Sequence, residues 1–292
     1  MPRTVVLALA AVLALAAQAS ARPDAGSAPV ATLIAAGDIA SCSSDRDEAT
    51  ARLLDGLAGT VAVLGDAAYE RGTDAEFARC YAPSWGRHRG RTRPAPGNHE
   101  YETAGAAGYF RYFGAAAGPP RGYYSYDLGA WHVVVLNSNC SQAGGCRSGS
   151  PQERWLRADL AAHPARCTLA YSHHPRFSSG LHGSTGTLAD LWRALYAAGA
   201  DVVLAGHDHH YERFRPQTPA GKLDPRRGLR EFVVGTGGRS LRPVFVPLTL
   251  SQVRNFVTYG VLVLRLEADG YSWRFVPVPG RHFRDAGSAR CH

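Results

Sequence analysis

The chain has 292 residues, 45% of them hydrophobic, with 32 Lys and Arg against 24 Asp and Glu and a formal net charge of +8. That field favours anionic ligands. The bases are nearly all arginine, with Lys222 the single lysine, and no dense basic block interleaved with aromatics marks a nucleic-acid surface.

From the N-terminus, Met1-Pro2-Arg3 is followed by the uncharged run VVLALAAVLALAA and then Ala19-Ser20-Ala21, a small-residue cleavage pattern. Residues 1–21 read as a Sec-type signal peptide cut after Ala21, with Ala19 as the neighbouring alternative. The run is too short and Ala-rich to favour an uncleaved membrane anchor. No later segment approaches spanning length, so the mature chain is expected to be secreted, extracellular or in the cell envelope, with no membrane span. Its six cysteines make disulfides the default. Cys140 and Cys146 bracket a short polar loop, and Cys42–Cys80 and Cys167–Cys291 are the expected remaining pairs.

Beyond a Pro/Ala/Gly/Ser tail, VATLIAAGD is an apolar run that stops at Gly37-Asp38, as a buried strand does. DRDEATARLLDGLA has helical periodicity, and TVAVLGD is a second strand stopping at Gly65-Asp66. TRPAPGNHE leads into Gly97-Asn98-His99, CTLAYSHHP into His173-His174, and DVVLAGHDHH into Gly206-His207. PQERWLRADLAAH and TLADLWRALYAAG are helical. Hairpins are expected at YYSYDLGAWHVVVLNSN, turning near Gly129, and at GVLVLRLEADGYSWRFVPV, turning at Asp269-Gly270, with a further strand at REFVVGTGG. The expected fold is α/β: two packed mixed sheets with helices outside, forming one domain over residues 22–292.

In α/β folds, ligands bind outside the carboxyl ends of strands. Gathering the strand-end side chains gives Asp38, Asp66, Tyr69, Asn98, His99, His173, His207 and His209. Carboxylate, imidazole, amide and phenol donors suit Zn²⁺, Fe³⁺ or Mn²⁺, and they are too many for one tetrahedral ion. Two metals sharing a carboxylate would use them all. Taken singly, Asp38 and Asp66 fit helix caps, Asn98 a turn and Tyr69 a packed aromatic; the full set favours ligation.

These blocks resemble the calcineurin-like metallophosphoesterases: Gly37-Asp38-Ile39-Ala40, Gly65-Asp66-Ala67-Ala68-Tyr69, Gly97-Asn98-His99-Glu100, His173 in AYSHHP, and Gly206-His207-Asp208-His209. Tyr69 narrows the resemblance to the purple acid phosphatase branch. The resemblance implies an α/β/β/α sandwich and a first metal, Fe³⁺, held by Asp38, Asp66, Tyr69 and His209. It implies a second, Zn²⁺, Fe²⁺ or Mn²⁺, held by Asp66, Asn98, His173 and His207, with Asp66 bridging. It also places His99 and His182 beside the phosphate, orienting substrate or protonating the leaving group. His174, His210 and Glu100 are expected behind the ligands or as solvated neighbours, with Glu100 holding His99. The family's D-x-G is D-I-A here, so a backbone adjustment in the turn after Asp38, and not a lost site, is expected.

Two cations lower the pKa of a bound water and offset charge at phosphorus, so the leading expectation is a phosphomonoesterase acting on small anionic phosphoesters by attack of a metal-bound hydroxide. A phosphodiesterase or phospholipase-like enzyme with the same metals is the alternative, and a non-catalytic phosphate-binding protein the third reading. No organic cofactor is indicated, because no G-x-x-x-x-G-K-[ST] loop is present; Gly235-Thr236-Gly237-Gly238 reads as a loop near the site. His88, His132, His163, His282 and His292 fall outside the blocks and read as structural or exposed.

Overall fold

Apolar runs of four to six residues closed by glycine are too short to stand as helices and bury well as strands. The computed structural model describes residues 1–2 and 30–292, so all of the expected signal peptide beyond Pro2 lies outside the described residues. In chain order the first strands are β1 (Ala31–Ala36), β2 (Ala40–Ser41), β3 (Thr60–Leu64), β4 (Ala68–Tyr69), β5 (Thr92–Ala95), β6 (Tyr124–Leu128), β7 (Trp131–Val135) and β8 (Cys167–Tyr171). They are followed by β9 (Val202–Ala205), β10 (Tyr211–Phe214), β11 (Arg230–Val234), β12 (Ser251–Asn255), β13 (Gly260–Glu267), β14 (Gly270–Pro277) and β15 (Ala286–Arg290). The α-helices are α1 (Arg46–Asp55), α2 (Asp74–Glu76), α3 (Ala107–Phe113), α4 (Pro151–Ala162) and α5 (Ala189–Ala197).

Two large mixed sheets result, as expected. The first runs β15–β14–β13–β1–β3–β5, with β1, β3 and β5 parallel and the other pairings antiparallel. The second runs β12–β10–β11–β9–β8–β7–β6, with β7, β8, β9 and β11 parallel. Leu33 and Val61 of the first sheet join Val133, Leu169, Val202 and Phe232 of the second in one buried cluster between them. Side chains alternate across a strand, so Val134, Ala170 and Val203 point the other way and are covered by Leu156 of α4 and Leu191 and Leu195 of α5. Helix α4 starts where Ser150 caps the Glu153 N–H ahead of Pro151, a strong start signal.

Besides the two-residue β2 and β4, three strands carry no apolar run and escape a sequence reading. β12 and β15 are polar edge strands, and β10 is a four-residue segment directly after the histidine cluster. The second hairpin also differs by one position. Glu267 pairs with Gly270, so Ala268-Asp269 form the turn and Gly270 opens β14. The cysteines pair 42–80, 140–146 and 167–291. The carboxyl ends of β1, β3 and β5 meet those of β8 and β9 at one end of the seam between the sheets.

Candidate metal centre

Four of the five donor-bearing turns begin with glycine, His173 following Ser172 instead, and at three of these glycines another donor residue lies against the backbone. A Cβ on Gly97 would sit 2.0 Å from the Asp66 Oδ1, one on Gly65 would sit 2.5 Å from the His173 ring, and one on Gly206 would sit 2.7 Å from the Asp38 Oδ2. The residues that follow are bent sharply. Asp38, Asp66 and His207 have φ of 60°, 49° and 69°, a left-handed conformation that costs a non-glycine residue about 1–2 kcal/mol. Ala40 keeps an ordinary strand conformation at the start of β2, parallel to β4. Asp38 itself makes the turn, and the Cβ of Ala40 follows it within the strand.

The predicted donors fall into two overlapping groups. Tyr69 Oη lies 2.9 Å from both Asp38 Oδ1 and Asp66 Oδ2 and 3.3 Å from His209 Nε2, and His209 Nε2 is 3.4 Å from Asp38 Oδ1. His173 Nε2 lies 3.0 Å from Asn98 Oδ1, 3.2 Å from His207 Nδ1 and 3.3 Å from Asp66 Oδ2. Asp66 Oδ2 is the atom common to both groups. Donors bonded at about 2.1 Å to a common ion and spread at 90–109° stand about 3.0–3.4 Å apart, so these separations fit two ions.

The outer nitrogens agree. His173 Nδ1 donates to the Leu64 carbonyl and His209 Nδ1 to the Ser240 carbonyl, both at 2.8 Å. Such bonds direct the Nε2 lone pair inwards, as in metal-binding histidines. Burial opposes charge on Asp66, yet the facing His173 imidazolium holds its carboxyl well below the usual range. Burial also opposes charge on His173, but Asp66 outweighs it and its pKa rises to about 9. The proton between His173 and Asp66 thus occupies the place a cation would take. Burial, then the carboxylates of Asp38 and Asp66, push the Tyr69 phenol well above its ordinary value, so a phenolate here needs a cation to offset that penalty.

The remaining predicted residues divide. His99 stacks on Tyr69 with ring centroids 4.4 Å apart, its Nε2 3.9 Å from Asp66 Oδ2 and its Nδ1 2.5 Å from the Glu70 carbonyl. His182 and His174 lie 4.5 Å and 4.2 Å from the His207 ring. His174 hydrogen-bonds Ser138 Oγ at 2.8 Å, and burial followed by the His173 charge lowers its pKa to about 3. His210 does not face the donors: its Nε2 bonds Glu212 at 3.1 Å, and Glu212 in turn accepts from the Ser179 N–H at 2.9 Å.

The expectation for Glu100 needs correcting. It does not hold His99 and is not an exposed acid. It is fully buried and accepts the N–H groups of Asp66, Ala67, Ala68 and Gly97 at 3.0, 2.9, 3.4 and 2.7 Å. It therefore fixes the turn that carries Asp66 against the turn that carries Asn98. Burial, and then Asp66, push its pKa up to about 7.

Sequence reasoning also missed Asp208, which accepts the His182 N–H at 2.9 Å, and the arginines of the Gly235–Arg242 loop. The spacing of the five blocks gives no signal for either. A cleft of about 360 Å³ lined by Asn98, Tyr101, Ser138, Asn139, His174 and Thr185 opens beside the second donor group. A larger hollow of about 760 Å³ continues from it through Cys140, Ser141 and Thr187 but holds none of the predicted residues.

Residues 31–211 match the calcineurin-like phosphoesterase family model, and the chain belongs to that family of metal-dependent phosphoester hydrolases. Within it the resemblance is to purple acid phosphatases. The chain is 37% identical over 122 residues to purple acid phosphatase 21 of Arabidopsis thaliana, covering 40% of this chain and 26% of that protein. It is 30% identical over 185 residues to an uncharacterised protein of Mycobacterium tuberculosis, covering 50% of this chain and 35% of that one. The chain thus spans about a third or less of the length of these curated relatives. The purple acid phosphatase from yellow lupin seeds shares the fold with a TM-score of 0.69 at 17% identity, over 90% of this chain and 54% of that chain. Plasmodium GAP50 shares it with a TM-score of 0.71 at 14% identity, over 90% and 89%.

Proposed function

We propose that this chain is a secreted dinuclear-metal phosphatase that hydrolyses phosphate monoesters to release inorganic phosphate. Residues 1–21 form its signal peptide and residues 22–292 a single catalytic domain. The observation that carries this reading is the pair of donor groups sharing Asp66 Oδ2. Asp38, Asp66, Tyr69 and His209 would hold Fe³⁺, and Asp66, Asn98, His173 and His207 would hold Zn²⁺, Fe²⁺ or Mn²⁺. When bound, the two cations supply an activated water and neutralise charge on the phosphoryl group.

The chain's own residues do the rest. Glu100 fixes the two turns that set Asp66 against Asn98. His99, with 30% of its side chain exposed beside Asp66, faces the solvent side of the centre and donates a proton to the departing alkoxide oxygen. His182 is reached by Arg242 at Nε2, 2.8 Å away; a guanidinium only donates, so Nδ1 keeps the proton and donates it to a phosphate oxygen. Export is supported by three closed disulfides, which persist in oxidising compartments.

The test is metal analysis and a visible spectrum of the purified chain, with hydrolysis of p-nitrophenyl phosphate and of bis(p-nitrophenyl) phosphate. Two metals per chain, an absorption band lost in Tyr69→Phe, and turnover of the monoester are expected. Preference for the diester would make it a phosphodiesterase with the same centre. Full metal occupancy with no turnover of either ester would leave a binding protein.

A further inference from the structure

The loop after β11 is sewn to the first donor group. The Gly237 N–H donates to the Gly37 carbonyl at 2.9 Å, the Arg239 N–H to the Asp38 carbonyl at 2.8 Å, and the Arg242 N–H to the His209 carbonyl at 2.9 Å. The Ser240 carbonyl accepts His209 Nδ1. These bonds fix where two arginines begin, and their side chains end differently. Arg239 lies over the Tyr69 ring at 4.7 Å and pairs with Glu70 at 2.9 Å, so its charge is neutralised. Arg242 reaches only the His182 ring, at 2.8 Å, and forms no ion pair among the described residues.

The His182 ring that Arg242 touches stands 4.5 Å from the His207 ring and 6.4 Å from the His209 ring. Its guanidinium therefore lies one imidazole away from both donor groups, half exposed, with most of its five N–H donors free. A cation held in this way, by its own backbone on one side and a neutral ring on the other, is placed for an anion.

We infer that Arg242 is the specificity-determining residue that makes the centre favour phosphate monoesters over diesters; this rests on the phosphatase reading above. A monoester presents three non-bridging oxygens and two negative charges, whereas a diester presents two oxygens and one charge. The additional oxygen and charge are what a fixed guanidinium recognises, through charge-assisted N–H···O bonds. In a diester that position holds a second ester group, which accepts weakly and meets the arginine as an obstacle.

The experiment compares kcat/KM for p-nitrophenyl phosphate and bis(p-nitrophenyl) phosphate in the metal-loaded full chain, Arg242→Gln and Arg242→Lys, with inhibition by inorganic phosphate measured alongside. Losing a hydrogen bond to a charged partner predicts a fall of about 10–100-fold for Arg242→Gln on the monoester, mostly in KM, with a matching rise in the phosphate inhibition constant. The diester should fall less than about 5-fold on the same reasoning, and the lysine variant should recover part of the loss because it keeps the charge without the fork. Equal losses on both esters, or none on the monoester at unchanged metal content, would overturn the assignment. A wild-type chain that prefers the diester would be seen before any substitution, and would defeat the phosphatase reading itself.

Discussion

Replacing Glu100 with glutamine tests whether the centre depends on a residue that touches no substrate. The carboxylate takes four backbone N–H groups, two on each oxygen: Asp66 and Gly97 on Oε2, Ala67 and Ala68 on Oε1. In Glu100→Gln one oxygen becomes an NH₂ group, which cannot accept. The cheaper orientation gives up Ala67 at 2.9 Å and Ala68 at 3.4 Å, one good bond and one poor one. A lost bond to a charged acceptor together with a buried N–H left unpaired amounts to about 3 kcal/mol.

An opposite effect acts most without metal. Burial first, and the Asp66 charge second, press the Glu100 pKa up to about 7, so glutamine relieves part of the loss in the metal-free protein. Cations on Asp66 would remove the share due to its charge and leave more of the loss. The metal-free melting temperature should therefore move by a few degrees at most, while the metal-loaded one falls on the order of 10 °C. Metal affinity should weaken about 100-fold, since each 1.4 kcal/mol is tenfold. Melting curves with and without a chelator, and metal titration of the stripped protein, read both quantities. Equal shifts in the two states, or no loss of affinity, would refute the argument that Glu100 acts through the Asp66 turn.

Gly97→Ala should fold but lose metal and at least about 100-fold in turnover, because its Cβ would stand 2.0 Å from Asp66 Oδ1 and must displace it; metal content and circular dichroism separate the two effects. His132 is buried between Asp159 at 2.9 Å and Asp127 at 3.0 Å, and although burial opposes its charge these carboxylates raise its pKa. Its contribution is then fully present below the unfolded value of about 6.5 and is lost as pH rises through the folded value. The melting-temperature gap between wild type and His132→Asn should accordingly be wide at acid pH and narrow as pH rises above the unfolded value. Stripping metal with a chelator should lower the melting temperature by the linkage amount, about 2.7 kcal/mol at a metal concentration 100 times its Kd, and abolish the visible band.

The parallel strands and the outer helices were legible because their signals are local: an apolar run, a glycine stop, a cap. Of the strands that were not legible, β12 and β15 are held at sheet edges by backbone bonds that any side chain permits. Within the centre, the donors were legible as types and spacings, since a carboxylate, amide or imidazole after a strand-ending glycine has few bland explanations when the pattern recurs four times and His173 follows a fifth strand. Glu100 was misread because three of its four partners are backbone N–H groups more than thirty residues away, and sequence shows no feature for an accepted N–H. Arg242 was invisible for a related reason. What distinguishes it from Arg239 on the same loop is the absence of a carboxylate partner, and that is set by how the loop returns under His209.

The two sheets supply the centre unequally, and the backbone records this. Asp38, Asp66 and Asn98 come from the first sheet's strand ends, Tyr69 from the short β4 just after β3, and His173, His207 and His209 from the second sheet's ends, so the donors meet only once the seam between the sheets has closed. Side chains at the ends of facing strands would ordinarily run out towards solvent. The left-handed turns at Asp38, Asp66 and His207 stop the chain at the strand end and aim each donor back along the seam. Three such residues cost about 3–6 kcal/mol together, which glycine at the same positions would not incur. Glycine has no donor to offer, however, and stands instead one position earlier, where the closeness of the neighbouring strand permits nothing larger. The Gly-Asp and Gly-His pairs are therefore one device: the first residue lets the strands approach, and the second accepts strain to place a charge or a lone pair between them. Backbone N–H bonds to Asp38 and Asp66 offset part of that strain, and a cation held between the donors would offset more, which ties these turns to the chemistry of the centre.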